Sequence, residues 1–126
     1  ARKEMKNYYF NSGIMFFHGH LGFPQILEER VETWVFGHLH PSVALSDKSN
    51  IKYEKYKCFL TGEFQKKEVI VVPSFFGIIE GTPVNEEGYE REGFSVIPNS
   101  ELRNFEVHAI NDDGEIFDFG KVKKLM

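Results

Sequence analysis

Two histidine pairs of the same spacing, His18-Gly19-His20 and His38-Leu39-His40, each follow a short apolar run, Gly13 to Phe17 and Thr33 to Phe36. Imidazole nitrogen is the commonest protein ligand for zinc, iron, manganese and nickel, so these residues offer metal-assisted hydrolysis. In an extended segment residues two apart point the same way, which turns His38 and His40 towards one site and Leu39 away from it. His18, arriving from a neighbouring parallel strand, lies about one strand spacing off, roughly 5 Å, within reach of the same metal or metal pair. Gly19 and Gly37 allow the backbone to approach closely beside the imidazoles. His18, His38 and His40 are therefore the candidate metal ligands. His20 is the candidate catalytic residue, through a contact to substrate or to the outer side of a ligand. A loop cap is the plainer role for any single histidine, and His108, between Val107 and Ala109, is expected to be an ordinary surface residue.

The elements that must position these side chains follow from hydrophobic pattern. The run Gly13–Phe17 reads as a buried strand stopping at a polar loop. Pro24 suits a first helical turn, and Ile26, Leu27, Val31 and Trp34 recur near helical spacing, which predicts a helix over residues 24–32. The run Thr33–Phe36 is a second strand, so strand, helix and strand form a crossover with parallel strands whose C-terminal ends share one sheet edge. Tyr53–Phe64 and Glu68–Val72 predict a hairpin around Gln65-Lys66-Lys67. Residues 73–99 read as an irregular covering stretch in which Glu80, Glu86, Glu87 and Glu90 are solvated surface. Phe105, Val107 and Ala109 alternate before Asn111-Asp112-Asp113-Gly114, and Ile116–Phe119 resumes, predicting a closing antiparallel hairpin.

The chain of 126 residues, 41% hydrophobic and 15% aromatic, fits a single domain with a packed core. Its Phe and Tyr sit in Val- and Ile-rich runs, so the fold class is α/β or α+β with sheet dominant. A formal net charge of −4 offers no general attraction to nucleic acid or anionic lipid, so nucleic acid is a partner that charge does not support. The single cysteine, Cys58, has no internal disulfide partner, suits a reducing cytoplasm, and reads as a small buried hydrophobe. No apolar stretch reaches the roughly 20 residues of a membrane span.

The motifs His18-Gly19-His20 and Gly37-His38-Leu39-His40-Pro41 resemble the last two metal-binding motifs of the calcineurin-like metallophosphoesterases. Lys57-Cys58-Phe59-Leu60 and Val71-Val72-Pro73-Ser74-Phe75 are similar to the branch containing archaeal SbcD-related and ligase-associated phosphoesterases. The resemblance covers most of the chain. It implies a β-sandwich of mixed sheets flanked by helices, with His18 and His38 on one divalent ion and His40 on the other. Manganese is the first expectation, with zinc, iron or nickel as substitutes. The implied activity is hydrolysis of a phosphomonoester or phosphodiester. The family's earlier motifs, Asp-x-His, Gly-Asp and Gly-Asn-His-Asp or Gly-Asn-His-Glu, do not occur here. The chain is accordingly expected to be the C-terminal portion of such a domain, with the missing N-terminal half as its partner.

Two other readings stay open from sequence: a mononuclear three-histidine zinc hydrolase, and a structural or binding module derived from the family. A cupin-like site is disfavoured because Pro-Ser-Val-Ala-Leu follows His40 where a glutamate is wanted. If half a sandwich is present, Ile14, Phe16, Val35, Val69 and Val71 are candidates for its open face. The isolated chain is then expected to self-associate, bind metal weakly and be inactive.

Overall fold

The computed structural model describes residues 6–47, 49, 52–86 and 95–126. Among them the strands are β1 (Tyr8–Asn11), β2 (Ile14–Phe17), β3 (Thr33–Phe36), β4 (Pro41–Ser46), β5 (Tyr53–Phe64), β6 (Lys67–Val71), β7 (Thr82–Pro83), β8 (Glu106–Ile110) and β9 (Ile116–Lys121). The only α-helix among the described residues is one turn, α1 (Asn99–Leu102). The protein is thus sheet-rich, and the strands form one branched mixed sheet in the order β1-β2-β3-β6-β5-β4-β7, with β8 on β5 and β9 on β8. No helix among the described residues is long and apolar enough to cross a membrane.

Parallel pairing of β2, β3 and β6 sets the core. Met15 lies opposite Trp34, Trp34 opposite Val69, and Phe36 opposite Val71. Successive side chains alternate between faces, so Met15, Phe17, Trp34, Phe36, Val69 and Val71 share one face and all are buried. The ring of Phe17 stacks on Phe36 at 5.4 Å and meets Trp34 edge-on at 5.8 Å. Leu60, Cys58, Val107 and Ala109 extend this layer across β5 and β8, and Ile97, Leu102, Phe105 and Val122 close over it. Gly62 is required where Phe105 crosses, since a Cβ there would lie 2.6 Å from the ring.

The register corrects one expectation. Val69 and Val71 do not share a face with Ile14, Phe16 and Val35, because β6 aligns Ile70 with Val35 and puts its valines beside Trp34 and Phe36. Ile14, Phe16 and Val35 face the other way, with Phe16 41% exposed.

A second correction concerns the crossover. The helix expected over residues 24–32 is a single 3₁₀ turn, Pro24–Leu27, after which Glu28 turns extended at φ −59, ψ 143. Ile26, Val31 and Trp34 are all buried, but from a turn, a loop and a strand. Their spacing reports burial, and backbone capture replaces the helix. Lys67 Nζ donates to the carbonyls of Glu28 at 2.9 Å and Val31 at 2.6 Å, and Trp34 Nε1 donates to the Ile26 carbonyl at 2.8 Å.

The remaining elements divide in the same way. Tyr53–Phe64 forms as expected, the hairpin partner runs one residue earlier at both ends, and β8 and β9 close as an antiparallel hairpin. Strands β1, β4 and β7 were not anticipated. Asn85 locks β4 from outside it, accepting from Ala44 N at 2.9 Å and donating to the Ala44 and Leu125 carbonyls at 2.7 and 3.0 Å. Glu80 and Glu86 are exposed, as expected of solvated carboxylates, while Glu87 and Glu90 lie outside the described residues.

Lys67 is buried, and its ammonium donates to two backbone carbonyls of the crossover. Lys67→Met is expected to lower unfolding free energy by about 2 kcal/mol, the cost of charge-assisted bonds lost at buried acceptors. Urea titration checks this, and a loss below about 0.5 kcal/mol would count against the capture of the crossover by Lys67.

Candidate metal-binding site

Strands β2 and β3 end in adjacent loops at one edge. The carbonyl of His18 accepts from His38 N at 2.8 Å and Gly37 N at 3.3 Å, tying the two loops backbone to backbone. Gly19 holds φ +103, and a Cβ there would come within 2.4 Å of the Phe36 ring. The loop therefore sits on the core with glycine as the only residue that fits, and the close approach expected at Gly19 is present.

The side chains gather unevenly. His18 Nε2 and His38 Nδ1 are 3.0 Å apart. With metal–nitrogen bonds of about 2.0–2.1 Å, two imidazoles on one ion hold their nitrogens about 3.0–3.4 Å apart, so the pair matches a shared ion as well as an N–H···N hydrogen bond. The His20 ring lies 4.9 Å from that of His18 and 6.1 Å from that of His38, centroid to centroid. His20 is thus part of the cluster, on its open, exposed side.

His40 departs from the expected geometry. Residues 37–40 are not extended: His40 N donates to the Gly37 carbonyl at 3.1 Å and His40 takes φ 46, in the left-handed region. The two-residue alternation of a strand therefore does not carry His38 and His40 to one face. Leu39 does turn into the core, 3% exposed. His40 Nδ1 is buried with no hydrogen-bond partner among the described residues, and so is Ser42 Oγ. An orphaned buried acceptor or donor costs about 1–3 kcal/mol, which makes His40 Nδ1 a position where a ligand is favourable.

Burial and the neighbouring charges of His20 and His40 hold His18 below its ordinary pKa of 6.5. The cause favours the neutral imidazole, the form whose lone pair binds metal. Among the described residues no group of three or more His, Cys, Asp or Glu side chains is arranged to hold an ion. The donor set present fits part of a metal site: two nitrogens at ligand separation and, on the same loop, one orphaned nitrogen, with no carboxylate grouped with them among the described residues.

His108 is more than a surface residue. Its Nδ1 lies 2.6 Å from Asp118 Oδ1 and its Nε2 2.8 Å from Thr61 Oγ1, a chain across β9, β8 and β5. One neutral tautomer satisfies both contacts, Nδ1–H donating to the carboxylate and Nε2 accepting from the hydroxyl. A bulge between Val107 and His108 sets this alignment, which no local sequence signal announces. Cys58 is buried as expected, and burial pushes its thiol up to about 12.

Comparison with protein-family models, curated proteins and solved structures finds no match for this chain.

The depressed His18 pKa fixes a sign for pH dependence. Below pH 6.5 the unfolded chain binds the proton that folded His18 resists, so stability is undiminished above that pH and falls as pH drops beneath it. The urea midpoint of the wild type is expected to fall more between pH 7.5 and 5.5 than that of His18→Gln. Equal shifts in the two proteins would show that His18 carries no such linkage.

Proposed function

We propose that this chain supplies nitrogen ligands to the metal site of a calcineurin-like phosphoester hydrolase, acting on a phosphomonoester or phosphodiester. The observation that carries the reading is the 3.0 Å separation of His18 Nε2 and His38 Nδ1 at the shared edge of parallel strands. Support comes also from the Nδ1 of His40, buried with no hydrogen-bond partner among the described residues. In this reading His18 and His38 hold one divalent ion and His40 the second, with manganese the expected metal. The remaining ligands, including the charge-balancing carboxylates, come from the N-terminal half of the domain, which packs as the other part of a two-sheet sandwich.

Bound divalent ions supply polarisation of the phosphoryl oxygens and neutralisation of the charge that builds on them. The chain's own residues do the positioning. His18 and His38 present ring nitrogens from a backbone-locked edge, which fixes their spacing before binding. His20, exposed beside them, is placed to donate a hydrogen bond to a phosphoryl oxygen on the open side.

A mononuclear reading has one observation in its favour, the clustering of the His18, His20 and His38 rings within 4.9 to 6.1 Å. Metal stoichiometry separates the two. In the dinuclear reading His20→Ala leaves metal content near normal and slows turnover, whereas in the mononuclear reading it removes a ligand.

Each of His18→Ala and His38→Ala is expected to weaken manganese binding at least tenfold by calorimetry in the protein bearing the complete domain, and to remove most hydrolysis of bis(p-nitrophenyl) phosphate. His108→Ala is expected to leave both unchanged. Unaltered affinity in His38→Ala would sink the assignment.

A further inference from the structure

Residues 74–80, Ser-Phe-Phe-Gly-Ile-Ile-Glu, leave Phe75, Phe76 and Ile78 81%, 61% and 82% exposed. So much contiguous apolar surface on one loop marks a place where something binds. The loop is held rather than slack. Lys57 Nζ donates to the carbonyls of Ser74 at 2.9 Å and Phe76 at 2.8 Å, Ser74 Oγ accepts from Phe76 N at 3.2 Å, and Ile79 N donates to the Phe76 carbonyl at 3.1 Å. Lys55 pairs with Glu80 at 3.7 Å.

Between this loop and β5 lies an open cleft of about 880 Å³, whose lining includes Tyr53, Tyr56, Phe75, Lys55, Lys57 and Ile110. Its rings are tethered: the Tyr53 hydroxyl donates to Glu86 at 2.5 Å, and that of Tyr56 donates to Glu54. Both lysines already have partners, so the cleft offers ring faces and apolar edges more than free positive charge. That chemistry suits a planar aromatic group.

The loop that walls the cleft starts and ends against the histidine-bearing segments. The loop leaves from β6, where Val72 N donates to the Phe36 carbonyl at 2.8 Å, and it returns at His40, whose carbonyl accepts from Thr82 N at 2.7 Å. Lys57 registers opposite Ser42, two residues past His40. From strand spacing and rise, that places the cleft wall roughly 8–10 Å from His40, about the reach of an aryl ester whose phosphoryl group sits at the histidines.

Resting on the phosphoester reading above, we propose that this cleft is the subsite for an aromatic group esterified to the phosphate, with Tyr53 and Phe75 against the ring. The loop then selects aryl phosphoesters over those of small aliphatic alcohols.

The test uses ligand-observed NMR on the protein bearing the complete domain, with zinc present, comparing phenyl phosphate, methyl phosphate and phenol. Phenyl phosphate is expected to bind roughly tenfold more tightly than methyl phosphate, the gain for burying one ring. In Phe75→Ala and in Tyr53→Leu, circular dichroism should be unchanged because both side chains are exposed, and the preference should fall towards unity with methyl phosphate unaffected. Equal affinities in the wild type, or a preference that survives both variants, overturns the proposal. Loop-dependent binding of phenol without binding of either phosphate upholds the aromatic subsite and rejects the phosphoester reading instead. Loop-dependent sedimentation with phosphatidylcholine vesicles, without discrimination between the phosphates, identifies a lipid-facing loop and likewise overturns the subsite.

Discussion

Everything at the candidate site hangs on one backbone acceptor. The carbonyl of His18 takes hydrogen bonds from the amides of both Gly37 and His38. Buried backbone groups must be paired, so these bonds extend the parallel β2–β3 ladder past its last strand residues and into the loops. They fix the two histidine loops relative to each other before any side chain is considered. The 3.0 Å approach of His18 Nε2 to His38 Nδ1 is a consequence of that splice. Gly19 completes it, because the loop that carries His18 and His20 rests on Phe36 with no room for a Cβ.

Irregular segments elsewhere are held by a repeated device. Lys67 reaches from β6 to the carbonyls of Glu28 and Val31, and Lys57 reaches from β5 to those of Ser74 and Phe76. Each ammonium has several donors on a long apolar stem, so one strand residue satisfies two carbonyls of a segment that lacks a ladder of its own. Asn85 does the same with an amide for β4 and the C-terminal Leu125. The regular sheet thereby stabilises the loops that flank its histidine edge, and the crossover keeps its course without a helix.

The electrostatics of the edge follow from its composition. The imidazoles crowd together, and burial and repulsion from His20 and His40 oppose protonation of His18. His40 Nδ1 is buried with no hydrogen-bond partner among the described residues, an unsatisfied group in an otherwise paired edge.

Strand content, the parallel pairing of Ile14–Phe17 with Thr33–Phe36, the long strand Tyr53–Phe64 and the closing hairpin were legible in sequence, because period-two alternation and β-branched or aromatic runs are local signals. The histidines at adjacent strand ends were legible for the same reason. What sequence could not decide depended on register and on long-range capture. A one-residue offset put Val69 and Val71 on the face opposite Phe16 and Val35. A lysine 36 residues from Val31 replaced a helix that apolar spacing alone favoured. The turn at residues 37–40 moved His40 Nδ1 inward and left His20 to complete the ring cluster, and a bulge aligned His108 with Thr61 and Asp118. Residue types and their spacing determined which groups are available for chemistry. The tertiary structure alone decided which of them meet, because contacts between segments far apart in sequence are selected by packing, and local pattern carries no record of them.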